Sequence, residues 1–452
     1  MLVEEDKEID LVTPVEKAMG MLSKFNIEFY DVVSSYSRSL SINILGVGIK
    51  EASSRVDVGI GVRVFKNKGM GVAFSQSLEE ADIETTVKRA VSFARASQPD
   101  PYFKGIPGPS EAPEVSDLCD EKIINLTLED ASQIPKDMIN AAESVRRGAM
   151  YSGGFSAAYS KACLMTSTGV SIEAEKTIAS AYLQPVYKEG DDVGSSYEFD
   201  YGVSLSDINP QWIGEKAAEK AIEQFGSKMI KSGSLPIILM PEAAGSTFIS
   251  LLSALSGEPA VKRRTFASRL LGRRIGPESL EIVDDGTIPG AIGSGTYDGE
   301  GVPKRPLTVV KKGLVLTFLH NSYSAGIMNT ESTGHAIRGG YGGYVGAGPS
   351  NIRVKPGDSS LEEMIAETRR GVLVTNASLS PNIVSGEFST TIDEGFLIEN
   401  GEKKHPIKNL MAGGHILSLF GSIESISKEG RTFGKGHFFP SIKIREIKFS
   451  GK

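Results

Sequence analysis

The chain has 452 residues, 40% of them apolar and 23% charged, enough for two cored domains of ordinary globular composition. Its 49 Lys and Arg stand against 56 Asp and Glu, a net charge of −7 that offers a polyanion no favourable field, so direct nucleic-acid contact is not expected. Cys119 and Cys163 lack any CxxC or disulfide-framework spacing, no apolar run of about 18 residues could span a bilayer, and the acidic residues 1–10 hold no secretory core, which predicts a reducing, cytoplasmic compartment and no membrane partner.

In chain order, residues 13–25 predict a first helix, opened by Thr13-Pro14 with proline at a tolerated first-turn position. Val56, Val58, Ile60, Val62 and Val64 then alternate with Asp57, Gly59, Gly61 and Arg63, a strand with one apolar face. Lys66-Asn67-Lys68-Gly69 turns the chain, and Met70, Val72 and Phe74 continue the alternation, so a hairpin is expected. Ser77-Leu-Glu-Glu80 reads as a capping box that launches a helix to about Ala96, with Ile83, Val87, Ala90, Val91 and Ala94 inward. Five prolines between 99 and 113 mark a loop. A long helix over 128–148 and strands over 155–205 follow. Asn209-Pro210 caps a helix that ends at Phe225-Gly226.

Glycine and serine cluster at 226–234, which divides the chain into 1–228 and 229–452. In the second part Asn400-Gly401 joins strands at 387–399 and 403–411, and Ile442, Ile444, Ile447 and Phe449 form a closing strand. The class is α+β: an N-terminal helix-flanked mixed β-sheet domain, then a β-rich, mainly antiparallel C-terminal domain. Lys262-Arg-Arg264, Arg269 and Arg273-Arg274 place six basic residues within thirteen. The helix-spaced Phe266, Leu270, Leu271 and Ile275 predict an amphipathic helix with a solvated basic face; nucleic acid, an acidic partner or salt bridges across a subunit interface are the other uses of such a face.

The chemistry-bearing residues are few. Pro236-Ile-Ile-Leu-Met240 delivers a buried run to a helix start, Pro241-Glu242. A carboxylate in a first helical turn is favoured by the dipole and the free N–H groups, and proline at N1 is common, so neither requires catalysis. None of the five histidines (His320, His335, His405, His415, His437) is spaced i, i+2 or i, i+4 from another, which leaves no local metal pair. His335 in its glycine-rich stretch is the candidate among them, the alternative being a surface loop histidine. Residues 338–348 contain neither a phosphate loop nor a dinucleotide fingerprint and read as a mobile loop, or as one beside a peptide groove where Tyr341 and Tyr344 contact substrate. No nucleophile elbow occurs, and Cys163 reads as a buried strand residue.

Taken together, Val58-Gly-Ile-Gly-Val-Arg-Val-Phe65, Val283-Asp-Asp-Gly-Thr287, Tyr297-Asp-Gly-Glu-Gly-Val302, Phe318-Leu-His-Asn-Ser-Tyr323, Thr333-Gly-His-Ala336, Gly371-Val-Leu-Val-Thr375, Gly386-Glu-Phe-Ser389 and Gly395-Phe-Leu-Ile-Glu-Asn-Gly401 resemble, in order and spacing, the TldD/PmbA family over nearly the whole chain. In that family's TldD branch a His-Glu-x-x-x-His segment and a C-terminal cysteine hold zinc. The matching positions here carry Pro241-Glu-Ala-Ala-Gly-Ser246 and Phe433, so the chain is similar to the metal-free PmbA (TldE) branch. The resemblance implies a peptidase subunit that forms part of an enclosed chamber for unfolded or precursor peptides. Glu242 would be the remnant of the catalytic motif, with no cofactor in this chain and zinc in a TldD-like paralogous partner. A self-sufficient homodimeric peptidase and a gyrase-modulating binding protein are the alternatives it carries.

Overall fold

The computed structural model describes residues 9–451, so most of the acidic opening read as lacking a secretory core lies outside the described residues. The first half is built on seven strands: β1 (Phe29–Gly46), β2 (Gly48–Lys66), β3 (Gly69–Ser75), β4 (Met150–Thr166), β5 (Ser171–Glu189), β6 (Asp192–Ser195) and β7 (Glu198–Gly202). Their order is β3-β2-β1-β4-β5-β6 with β7 beside β5, and every pairing is antiparallel. The expected hairpin is β2–β3. Asn67 and Lys68 take φ of 50° and 64°, the left-handed pair that a two-residue turn matched to strand twist requires.

Alternation gives this sheet two different faces. One packs Tyr36, Ile60 and Val62 against the helices Val12–Leu22 and Glu80–Ala96, and Leu40, Ile42 and Phe155 against Gln133–Val145 and Pro210–Glu223. The other carries Ser35, Ser37, Ser39 and Ser41 on β1 and Ser156, Ala158 and Ser160 on β4, all at least partly accessible.

Two helix expectations in the first half need correction. The Ser77 hydroxyl accepts from the Glu79 amide at 3.1 Å, a turn ahead of the helix, so no capping box forms and the helix starts at Glu80 with no side-chain cap. The helix read over 128–148 is two, Leu128–Ala131 and Gln133–Val145, because Pro135 has no N–H to continue the first into the second.

The second half is a 12-stranded sheet in which the parallel pairings of the molecule lie: Gly233–Leu239 with Arg370–Asn376, and Ile352–Val354 with His437–Ser450. The C-terminal strand His437–Ser450 is the axis, paired also with Gly233–Leu239, Leu410–His415 and Ile423–Phe433. Helix Pro241–Ala254 drives Phe248, Leu251 and Leu252 into the core beside Ile237, Leu239, Ile442 and Ile444. The strand expected at 387–399 breaks at Asp393 into Glu387–Ile392 and Glu394–Glu399, and Asn400-Gly401 (φ 55° and 77°) turns the latter into Glu402–Pro406.

The basic segment forms no amphipathic helix. Only Gly257–Val261 is helical; Arg263 then takes φ 60°, the Thr265 hydroxyl donates to the Ala254 carbonyl at 2.7 Å, and the Thr265 amide donates to Ser268 Oγ at 3.2 Å in a turn. Leu270 and Ile275 are still buried, as turns laid on the core. Buried ion pairs join the halves: Arg63 to Asp31 (2.6 Å) and Glu300 (3.1 Å), and Arg338 to Asp31 (2.9 Å). No helix among the described residues is long and apolar enough to cross a membrane.

Candidate functional site

The fully buried run Ile237-Ile-Leu239 ends at extended Met240, and Pro241 starts the helix with its ring buried. That places Glu242 in the first turn, facing the strand Ile423–Phe433. There Arg431 Nη1 lies 2.5 Å from Glu242 Oε1, and Nη2 donates to Glu198 Oε1 on β7 at 2.9 Å and to the Phe199 carbonyl at 3.1 Å. Lys220 holds the other oxygen of Glu198 at 2.6 Å. The guanidinium is sandwiched by Phe433 (4.8 Å), Trp212 (4.9 Å) and Phe199 (5.4 Å), rings whose electron-rich faces attract a cation. Burial works against the Arg431 charge, but Glu198 and Glu242 more than restore it, and its proton is held more tightly than usual. Burial also raises Asp200, with Arg431 opposing that rise.

The other two motif positions close on the same spot. Ser246 donates to the Ala243 carbonyl at 2.8 Å and accepts the Leu379 amide at 3.2 Å, both structural uses of a helical serine. A Cβ at Gly245 would lie 2.7 Å from the Phe439 ring, which packs at a tilt against Phe433 with centroids 5.9 Å apart. A catalytic zinc site takes about three imidazole, thiolate or carboxylate donors and an open position. Here the donors are one carboxylate already neutralised by an arginine, a hydroxyl spent on backbone, a proline and a phenyl ring. They do not fit the ion. Glu198 and Arg431 are 233 residues apart, and nothing in the local pattern around either announces the pairing.

His335 is not a surface residue. It is 2% exposed; Nδ1 sits 2.9 Å from Thr333 Oγ1, while Nε2 lies 3.2 Å from Asp284 Oδ2 without hydrogen-bond alignment. Asp284, fully buried, accepts the amides of Ser350 (2.7 Å) and Asn351 (2.6 Å). The row Thr333–His335–Asp284 has the order of a hydrolytic triad, but Thr333 Oγ1 is locked by the His320 amide at 2.7 Å and is 6% exposed. Burial, and then the neighbouring His335, push His320 down to about 4, so it is neutral near pH 7. This group is a buried polar brace.

Residues 336–347 fold as a hairpin, Ala336–Arg338 against Val345–Ala347. Its tip delivers Tyr341, 8% exposed, onto the open face of the first sheet, where it packs with Val33 and Leu164 and reaches Asp57 at 3.2 Å. The fit needs the bare strand backbone: a Cβ at Gly59 would lie 2.5 Å from the Tyr341 ring, and one at Gly61 would lie 1.7 Å from its carbonyl oxygen. Tyr344 is 74% exposed and rims a separate cavity of about 330 Å³ with Arg63, Phe103, Lys262 and Tyr323. The three candidates His335, Tyr341 and Tyr344 therefore occupy three different environments. Cys163 is buried in β4, and burial pushes its thiol up to about 11.

Known proteins place this architecture. Three PmbA/TldA metallopeptidase family domains match in sequence order: domain 1 over residues 30–94, the central domain over 121–225 and the C-terminal domain over 232–451. A metalloprotease of Methanocaldococcus jannaschii is 27% identical over 410 residues, 89% of this chain and 90% of that protein. Metalloprotease PmbA of Escherichia coli O157:H7 is 23% identical over 93% of this chain and 92% of its own length. The crystal structure of TldE from Thermococcus kodakarensis matches with a TM-score of 0.86 at 25% identity, covering 97% of this chain and 99% of that one. By sequence along its whole length and by fold, the chain belongs to the PmbA/TldD family of metallopeptidase-like proteins.

Proposed function

We propose that this chain is the metal-free subunit of a PmbA/TldD-type peptidase, working with a zinc-bearing TldD-like partner on unfolded or precursor peptides. The observation that carries this reading is the Arg431 centre. An internal guanidinium neutralises Glu242 where a peptidase would need that carboxylate free to take a proton from metal-bound water. With Ser246 and Phe433 in place of ligands, the chain has no means of activating water at this position.

What remains is a wall. The accessible face of the first sheet is paved with small residues (Ser35, Ser37, Ser39, Ser41, Ser156, Ser160), leaving room for an extended chain, and Tyr341 and Arg431 stand at its two ends. In this reading the subunit forms one side of the peptide chamber, and exposed Tyr344 is a substrate contact. The test is peptide hydrolysis by the purified chain, by a TldD-like paralogue, and by their mixture, with unfolded casein as probe. Activity that needs the paralogue and disappears with chelator is the expected result. Chelator-sensitive hydrolysis by the lone chain would overturn the proposal in favour of a self-sufficient peptidase.

A further inference from the structure

A second cavity, of about 740 Å³, opens between the accessible face of the first sheet and the loop 292–299 of the second half. Its apolar walls include Val33, Leu164 and Ile172, and two lysines, Lys176 from β5 and Lys304, enter it. Lys176 Nζ donates to the carbonyls of Ile292 (2.6 Å) and Ser294 (2.7 Å); Lys304 Nζ donates to the carbonyl between them, Gly293 (3.0 Å), and to Ser350 Oγ (2.9 Å). Three successive carbonyls thus gather two ammonium groups at one place.

An ammonium has three N–H donors, so each of these lysines keeps one beyond the bonds just named. Neither has a carboxylate at ion-pair distance among the described residues. Buried or half-buried cations are ordinarily paired, because leaving water uncompensated is costly. Burial, and then the Lys304 charge, push Lys176 down to about 8, and burial pushes Lys304 down against the pull of Asp284 and Asp298. Both of those carboxylates are already committed: Asp284 to the amides of Ser350 and Asn351, Asp298 to those of Glu300, Val302 and Ala336. The described residues bring two cations together and bond no carboxylate to either.

We propose that this cavity binds the C-terminal carboxylate of a peptide, with the free N–H groups of Lys176 and Lys304 as the donors. Of the anions two lysines could take, a peptide end fits the surroundings best. The wall groups Asp117, Glu173 and Glu175 are exposed at the mouth, where they repel a small dianion more than a neutral chain ending in one carboxylate. The paved sheet face supplies a track for the rest of that chain. The assignment rests on the peptide-handling reading above, and adds which end of the peptide is recognised and by what.

The experiment is calorimetric titration of the purified chain with N-acetyl-tetraalanine as free acid and as C-terminal amide, with inorganic phosphate as a third titrant. The free acid should bind about tenfold or more tightly than the amide, the difference a charge-assisted pair of hydrogen bonds supplies. Lys304→Met should erase that preference, leaving the amide unchanged. Equal binding of acid and amide by the wild-type chain would overturn the carboxylate assignment while leaving the peptide-handling subunit intact. Binding of phosphate with neither peptide bound would mark a free-anion site and equally overturn it, as would no binding at all. The acid-versus-amide comparison needs no variant, so a folding defect in Lys304→Met cannot shield the idea.

Discussion

Arg431 and the Lys176–Lys304 pair are both cationic centres where the two halves of the molecule meet, but only the first is neutralised by carboxylates. Arg431 carries its counter-charges with it: Glu242 and Glu198 hold the fork, and three rings cover its faces. The lysines have only carbonyls and one hydroxyl. A closed charge set is a piece of structure, while an open one is where the proposed peptide carboxylate would add the missing charge. The buried Asp31–Arg63–Glu300–Arg338 network is a second example of the closed kind. The Arg431 set has the make-up of a structural joint between the halves, and the lysine pair is the one we propose for ligand recognition.

The comparison breaks most readily at Arg431. Arg431→Ala leaves Glu198 and Glu242 without their shared cation, with Asp200 beside them, and should cost about 3 kcal/mol, read as a shifted midpoint in urea. Adding Glu242→Gln should recover most of that loss, because Glu198 keeps Lys220 at 2.6 Å and the penalty lies in the stranded Glu242. If Arg431→Ala is neutral, the joint is not a joint.

The lysines should respond to pH in the other sense. Lys176 is held near 8 in the fold against about 10.4 in an unfolded chain, so between these values the unfolded state binds more protons. Stability should therefore rise with pH from 8 to 10.5, by on the order of 2–3 kcal/mol at most, and Lys176→Met should flatten that limb. A wild-type curve that falls steadily through this window, unchanged in the variant, would show that the ammonium is better compensated than its partners suggest. Smaller still, Lys304→Met in the absence of ligand should change stability by no more than about 1 kcal/mol, of either sign, since it deletes an unpaired charge as well as two hydrogen bonds. Tyr344→Ala, at a 74% exposed position, should leave stability within about 0.5 kcal/mol. Its effect is expected on casein turnover by the mixed subunits, and an unchanged rate there would remove Tyr344 from the substrate path.

Much of the scaffold could be read from local pattern. The β2–β3 hairpin follows from alternation and a two-residue turn, the cap at Asn209 accepts the Trp212 amide at 3.0 Å, and Pro241-Glu242 begin a helix as their chemistry favours. The Ser77 and Pro135 failures are local, a turn and a missing N–H, while in the others tertiary contacts override local signals. The basic segment has helical spacing, but a left-handed Arg263 and the Thr265 bond to Ala254 fold it as turns. His335 sits among glycines yet is drawn inward by Asp284, fifty-odd residues earlier on another strand. For the site, the residues at 241, 246 and 433 can be set against the family motif directly, because they are local substitutions within it. Arg431 was not, since a strand arginine is normally a solvent-facing residue until Glu198 on a distant strand is brought beside it.

The most direct measurement is zinc content of the lone chain after equilibration with micromolar zinc and removal of free ion, by mass spectrometry of the metal. An arginine-filled, ligand-poor centre predicts far less than one equivalent, and no change in Glu242→Gln. One equivalent of tightly held zinc that is lost in Glu242→Gln would contradict the account at its root.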